Sequence, residues 1–168
     1  TKYIQRRIPH GDASPGSAAS AHSAVALTGP QRALIARSDT FFIATHHAES
    51  GADSSHRGGR PGFVTAPDER TIVFPDYRGN NMFNTLGNLE VDPRAGLLFI
   101  NFESGASLQL TGKAVVQRSD PGTATPTGRS VRFEVSALRE LAPSSALRYS
   151  LFEPFPYNPP VGKNESSL

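Results

Sequence analysis

Arginine, glycine and asparagine meet at a point of this chain where the backbone pattern changes character. The stretch Phe74-Pro-Asp-Tyr-Arg-Gly-Asn-Asn-Met-Phe-Asn-Thr-Leu-Gly-Asn-Leu89 reads as a strand end passing into a helix start across Arg78, Gly79, Asn80 and Asn81. The first turn of a helix leaves backbone N–H groups without partners and carries the positive end of the helix dipole, so the junction suits an anion. Gly79 permits close approach, and the Arg78 guanidinium can fork onto phosphate oxygens. A capped helix with no ligand has the same signature, so a second element is needed. Ser55-His-Arg-Gly-Gly-Arg-Pro-Gly-Phe63 offers one, with Arg57 and Arg60 among glycines that let a flat ligand lie on bare backbone at a strand's start. A glycine-rich turn with solvated arginines is the plainer account of the same residues.

Other reactive residue types are present without a pattern. His46, His47 and His56 could ligate a metal, but their spacing fits no compact motif, and exposed loop histidines are the simpler reading. Asp53, Ser55 and His56 are the types of a hydrolytic triad, yet such triads assemble from separate elements, so the adjacency reads as accidental. The chain has no cysteine, which excludes disulfides, thiolate metal sites, iron–sulfur clusters and a cysteine nucleophile. Its 17 basic and 15 acidic residues leave a net charge of +2, too little to suggest a general polyanion binder, and nucleic acid is not expected as a partner.

The elements that must position these residues are short. A chain of 168 residues is the size of one domain, and its 15 Gly and 14 Pro, about one residue in six, exceed average usage and imply many turns. Thr28 can cap a helix through Ser38, with Pro30 in its first turn, Leu34 and Ile35 inward, and Gln31, Arg32 and Arg37 in water. Residues 41–45 form an apolar strand, 46–55 turn polar, and 57–65 and 71–74 read as a hairpin about the turn 66–69. Met82, Phe83, Leu86 and Leu89 have helical spacing over 80–89, and strands follow at 95–102, 107–117 and 130–135. Most links are too short for parallel crossovers, so the expected fold is mainly β (α+β): a six-stranded antiparallel barrel with short peripheral helices. Residues 1–27 read as an N-terminal arm, 28–141 as the barrel and 142–168 as a proline-rich tail running extended over the surface. In that tail Phe152, Phe155 and Tyr157 either strap the barrel's own end or cover a ligand or a partner subunit. No apolar run approaches a membrane span and no signal sequence opens the chain, so a cytoplasmic protein without membrane contact is expected.

With 92–99 and 108–114, the two glycine- and asparagine-bearing runs give the chain a resemblance to the pyridoxamine 5'-phosphate oxidase-like FMN-binding split-barrel family, over about 28–138. The resemblance implies a split barrel that forms a homodimer with FMN in each of two clefts between subunits. It places Arg78, Asn80 and Asn81 at the FMN phosphate, Arg57, Gly58, Gly59 and Phe63 on the strand beside the flavin, and Phe74, Pro75 and Asp76 near the ring. Gln109 corresponds approximately to a position that reaches the cofactor, from the opposite subunit in one reading. Many relatives carry a lysine at the start of the phosphate-binding helix, and this chain does not, so Arg57 or Arg60 must assist Arg78. The chain also has no tryptophan and no C-terminal motif of the kind that holds pyridoxamine phosphate, so vitamin B6 oxidation is not expected. The resemblance points to an FMN-dependent oxidoreductase acting on a small molecule without a catalytic side chain, the electron chemistry belonging to the cofactor. The alternatives are a flavin-binding or redox-sensing module without turnover, or a split barrel holding deazaflavin or haem, haem requiring an axial ligand from His46, His47 or His56.

Overall fold

A computed structural model of the chain describes residues 3–11, 21–78, 84–118, 127–143 and 148–161. Its elements are β1 (Arg6–His10), β2 (Ala21–Ala24), α1 (Gly29–Arg37), β3 (Thr40–His47), β4 (Gly51–Gly58), β5 (Thr71–Pro75), α2 (Asn84–Val91), β6 (Arg94–Ile100), β7 (Ser107–Arg118), β8 (Arg129–Leu141) and β9 (Arg148–Glu153). Five of the six expected strands are β3 and β5 to β8; the sixth, expected over 57–65, is replaced by β4 at 51–58. The three further strands among the described residues, β1, β2 and β9, come from the two terminal segments.

Strands β2, β8, β7, β6, β3 and β4 lie in that order in one antiparallel sheet, and β1 pairs with β9 in a separate ribbon. Because β7 runs along one edge of β8, β2 and β5 share the other, β2 at 138–141 and β5 at 130–134. Laid flat, β5 and β3 would stand about 19 Å apart, four strand spacings. The rings of Phe74 on β5 and Phe41 on β3 nevertheless meet at 4.9 Å, so the sheet has curled until its ends face each other across a core. Phe41 also stacks on Phe99 at 5.1 Å and on Phe63 at 5.8 Å. This is the split barrel, and among the described residues all the buried apolar ones fall between Leu27 and Leu138.

Alternation dictates which side chains fill it. Along β7, Leu108, Leu110, Gly112 and Ala114 face inward, and along β8 Val131, Phe133 and Val135 do, after which the phase shifts to Leu138. The shift comes from a bulge at Thr111/Gly112, where a Cβ on residue 112 would lie 2.0 Å from the Glu134 carbonyl oxygen. Only glycine fits there.

Thr28 caps α1 in a capping box with Gln31, and Pro30 sits in the first turn, as its sequence suggests. Gln31 is not in water: it is 5% exposed, its amide oxygen accepts from the Thr28 N–H at 3.0 Å, and its amide nitrogen donates to Glu140 at 2.7 Å. A polar side chain is buried here because every hydrogen-bonding atom has a partner. The hairpin expected over 57–65 also needs correction. Strand β4 lies earlier, and beyond it Gly62 takes a positive φ of 90° while Phe63 N–H bonds back to the Arg60 carbonyl, turning the chain before an isolated bridge joins Thr65 to Val73. The polar stretch 51–58 is a strand because β3 offers it a full ladder, from His47↔Gly51 to Thr40↔Gly58, and tertiary pairing outweighs its poor composition. His46 and His47 accordingly belong to β3 and His56 to β4, not to a loop. Helix α2 begins at Asn84, and the part of the expected helix over 80–83 lies outside the described residues. No helix among the described residues is long and apolar enough to cross a membrane.

Candidate functional site

The inward face of β4 carries Asp53, Ser55 and Arg57, opposite Thr45, Ile43 and Phe41 of β3. Helix α2 docks on this row through polar contacts. The Thr85 hydroxyl donates to Asp53 Oδ2 at 2.9 Å and lies 2.9 Å from Ser55 Oγ, while Asn88 Nδ2 donates to Thr45 Oγ1 at 3.0 Å. Thr85, Asn88 and Leu89 are therefore the helix's buried face. The hydrophobic spacing alone did not single out Thr85 or Asn88.

Arg57 is the unusual member. Its Nε is buried and finds no hydrogen-bond acceptor among the described residues. Burial pulls the guanidinium below its ordinary range, and the charges of Asp76 and Asp53 oppose that shift. Asp76 is itself 6% exposed, and its carboxylate is already engaged by the Arg129 guanidinium, whose Nε and NH2 reach Oδ2 at 3.0 and 2.8 Å. A half-buried cation with an unpaired donor thus sits where α2, β4 and the end of β5 converge.

The other expected residues frame it. Phe74 is buried edge-on to Phe41, and Pro75 closes β5 opposite Ser130. Phe63 lies between Phe41 and Tyr77, whose ring it meets at 6.2 Å. Burial, and then the neighbouring Tyr3, push the Tyr77 hydroxyl up to about 12. Arg78 is exposed, and its carbonyl accepts a hydrogen bond from the Tyr3 hydroxyl at 3.0 Å. Tyr3 and Tyr77 were not singled out in the sequence; Tyr77 stands between Asp76 and Arg78, which were, whereas nothing local marks Tyr3.

Two expectations change. The glycines do not present bare backbone: a Cβ on Gly58 would lie 2.0 Å from the Tyr3 carbonyl oxygen, and one on Gly59 would lie 2.6 Å from the Phe63 ring. The Tyr3 carbonyl and the Phe63 ring take the place that a side chain at either glycine would need. Gln109 does not join the cluster within one chain, because it is exposed on the outward side of β7, with β6 and β3 between it and β4 in the sheet. Asn80 and Asn81 lie outside the described residues.

The triad types are separated by the strand's own pleat. Asp53 and Ser55 face inward, whereas His56 faces outward opposite Phe42, with ring centroids 5.8 Å apart. Burial, then Arg7 and Arg57, pull the His56 imidazole below its ordinary value, with Asp39 opposing, and its buried Nδ1 has no partner among the described residues. No group of three potential metal ligands occurs among the described residues.

The sequence profile of the family described as Pyridoxamine 5'-phosphate oxidase matches residues 27–140. No curated protein matches the chain. Among solved structures, one named for pyridoxamine 5'-phosphate oxidase, from Lactobacillus delbrueckii, is similar with a TM-score of 0.54 at 16% identity, covering 68% of this chain and 94% of its own. HupZ of Group A Streptococcus is similar with a TM-score of 0.55 at 14% identity, covering 71% of this chain and 98% of its own. At such identities the two structures establish the fold alone. The profile match is the stronger finding, since it takes in both helices and every strand from β3 to β8 up to residue 140, and on that ground the chain belongs to the pyridoxamine 5'-phosphate oxidase family.

Proposed function

We propose that this chain is an FMN-binding protein that works as a homodimer and serves as an oxidoreductase for a small molecule. The observation that carries this reading is Arg57, a desolvated guanidinium with an unpaired Nε beside the docked end of α2. A buried cation is costly unless something negative completes it, and Asp76, the carboxylate with the larger effect on it, is already bonded to Arg129. A phosphate dianion meets that requirement, with the exposed Arg78 as its second cation. Asn80 and Asn81 join this assignment by sequence position alone.

Bound there, the flavin would supply the redox chemistry, exchanging electrons between a reduced nicotinamide donor and a small acceptor or oxygen. The chain's own residues bind, orient and exclude water. Arg57 and Arg78 fix the phosphate end, while Gly58, Gly59, Phe63 and the Phe74, Pro75 and Asp76 segment form the wall along which the ring is oriented. Gln109 stands on the outer face of the sheet, so it reaches such a site only from a second copy, which is what the homodimer provides.

The test is to release the cofactor from purified protein by heat and identify it by absorbance and mass. FMN is the expected result; a haem Soret band or a deazaflavin mass would overturn the assignment. Arg57→Ala and Arg78→Ala should each weaken FMN binding about 10- to 100-fold, the worth of a charge-assisted hydrogen bond. Unchanged affinity in both would remove the phosphate from this position. Turnover is checked by FMN-dependent oxidation of reduced nicotinamide, and its absence with FMN bound would favour a sensor or carrier.

A further inference from the structure

The ribbon of β1 and β9 lies outside the residues that match the family, yet the segment leading into it lies on the candidate site. Its anchor is a buried pair of amides, Gln5 at 5% and Asn158 at 6% exposure. Gln5 Nε2 donates toward the Tyr3 carbonyl at 3.0 Å, the Asn158 Oδ1 at 3.3 Å and the Gly59 carbonyl at 3.4 Å. Its Oε1 accepts from the Phe155 N–H at 2.8 Å and Asn158 Nδ2 at 3.1 Å. One side chain thus ties the N-terminal segment, the C-terminal segment and the backbone of Gly59 together.

From this knot Tyr3 reaches across the site's edge. Its carbonyl sits over Gly58, its ring lies 5.4 Å from Tyr77 and 5.6 Å from Phe155, and its hydroxyl donates to the Arg78 carbonyl. Tyr3 holds a φ of 63°, the left-handed region that costs a residue with a Cβ. Farther along the ribbon, Arg7 pairs with Asp39 and lies 3.9 Å over the Phe102 ring. These attachments are mostly polar. Among the described residues no buried apolar core residue belongs to the ribbon, and Ile4, Ile8 and Leu151 are exposed. Water can replace hydrogen bonds far more easily than it can enter the barrel core, so the ribbon is the part of this fold suited to opening locally.

The geometry points to Tyr3 as a gate: the paired termini form a strap over the Gly58, Gly59 and Arg78 edge of the site, and cofactor enters when Tyr3 swings away. This inference rests on the flavin reading above. A site open one time in ten binds its ligand about tenfold more weakly than a permanently open one, and freeing the strap removes that penalty.

The experiment follows quenching of FMN fluorescence by stopped flow with the full chain stripped of bound cofactor. It compares the unmodified chain with Tyr3→Gly, which removes the ring while suiting a positive φ, and with Gln5→Ala, which unties the amide knot. Both variants should raise the association rate about tenfold, with a smaller change in dissociation. If Gln5→Ala does not fold, as judged by circular dichroism, Tyr3→Gly decides alone. An unchanged association rate overturns the gate, and so does faster dissociation at an unchanged association rate, which would make Tyr3 a wall. FMN uptake at equal rates sinks the gate alone; no uptake by any chain sinks the flavin reading and the gate together.

Discussion

A single imidazole shows how local surroundings set the pH response of this chain. His56 is half-buried on the outer face of β4, with Arg7 and Arg57 disfavouring its charged form and Asp39 favouring it. Its value in the fold lies below the 6.5 of the unfolded chain, so between those values the unfolded chain binds more protons. The stability this neutral histidine contributes is complete above about pH 6.5 and is lost as pH falls toward its folded value. Denaturant melts from pH 7 to pH 5 should therefore show falling stability, with a shallower slope in His56→Gln; an identical slope would show that other groups govern the loss. At Asp76 a different substitution is informative. Arg129→Ala leaves a buried carboxylate without its guanidinium and should cost about 3–5 kcal/mol, whereas Asp76→Asn with Arg129→Met should cost less than the single change. Equal losses in the two would mean that the pair contributes through packing alone.

Among the elements, β3 and β5 to β8 were legible because their apolar residues alternate or run together, and because turn residues punctuate them. The same local signal misplaced β4, since Asp53, Ser55 and His56 have little strand propensity and earn their ladder from β3. It also placed Gln31 in water, because the Glu140 carboxylate that accepts from its buried amide lies 109 residues away and leaves no trace in neighbouring sequence. The site divides in the same way. Arg57 and Arg78 stand out from glycine and charge patterns, and Phe63, Phe74 and Asp76 through the family resemblance, whereas Thr85, Tyr77 and Tyr3 matter through contacts that only folding creates. The bulge between β7 and β8 gives the sharpest test at this scale. Gly112→Ala puts a methyl group 2.0 Å from the Glu134 carbonyl oxygen and 2.8 Å from the Phe133 ring, and backbone cannot yield as a flexible side chain can. The strain should lower stability by about 1–3 kcal/mol, read as a drop in denaturation midpoint at unchanged m-value. A neutral Gly112→Ala would mean that the bulge relaxes freely.

The molecule as a whole consists of a barrel that matches a family and a terminal ribbon outside the match, held together by different forces. Among the described residues every buried apolar one lies between Leu27 and Leu138, so the barrel's hydrophobic drive does not depend on β1 or β9. The ribbon adds the Gln5 and Asn158 knot, the Arg7 to Asp39 pair and a short ladder. Deleting residues 1–11 removes these contacts but returns Asn158 and Asp39 to water, where each finds new partners. The loss should then be about 1–3 kcal/mol, or roughly 3–10 °C in melting temperature, with one cooperative transition retained. Calorimetry of the shortened chain decides between two architectures. A single transition only a few degrees lower means that the barrel folds by itself and the strap is an attachment, as the distribution of apolar burial requires. Loss of the cooperative transition would mean that β1 is built into the barrel's stability, and a strap that cannot part from the barrel without unfolding it cannot admit a ligand by opening.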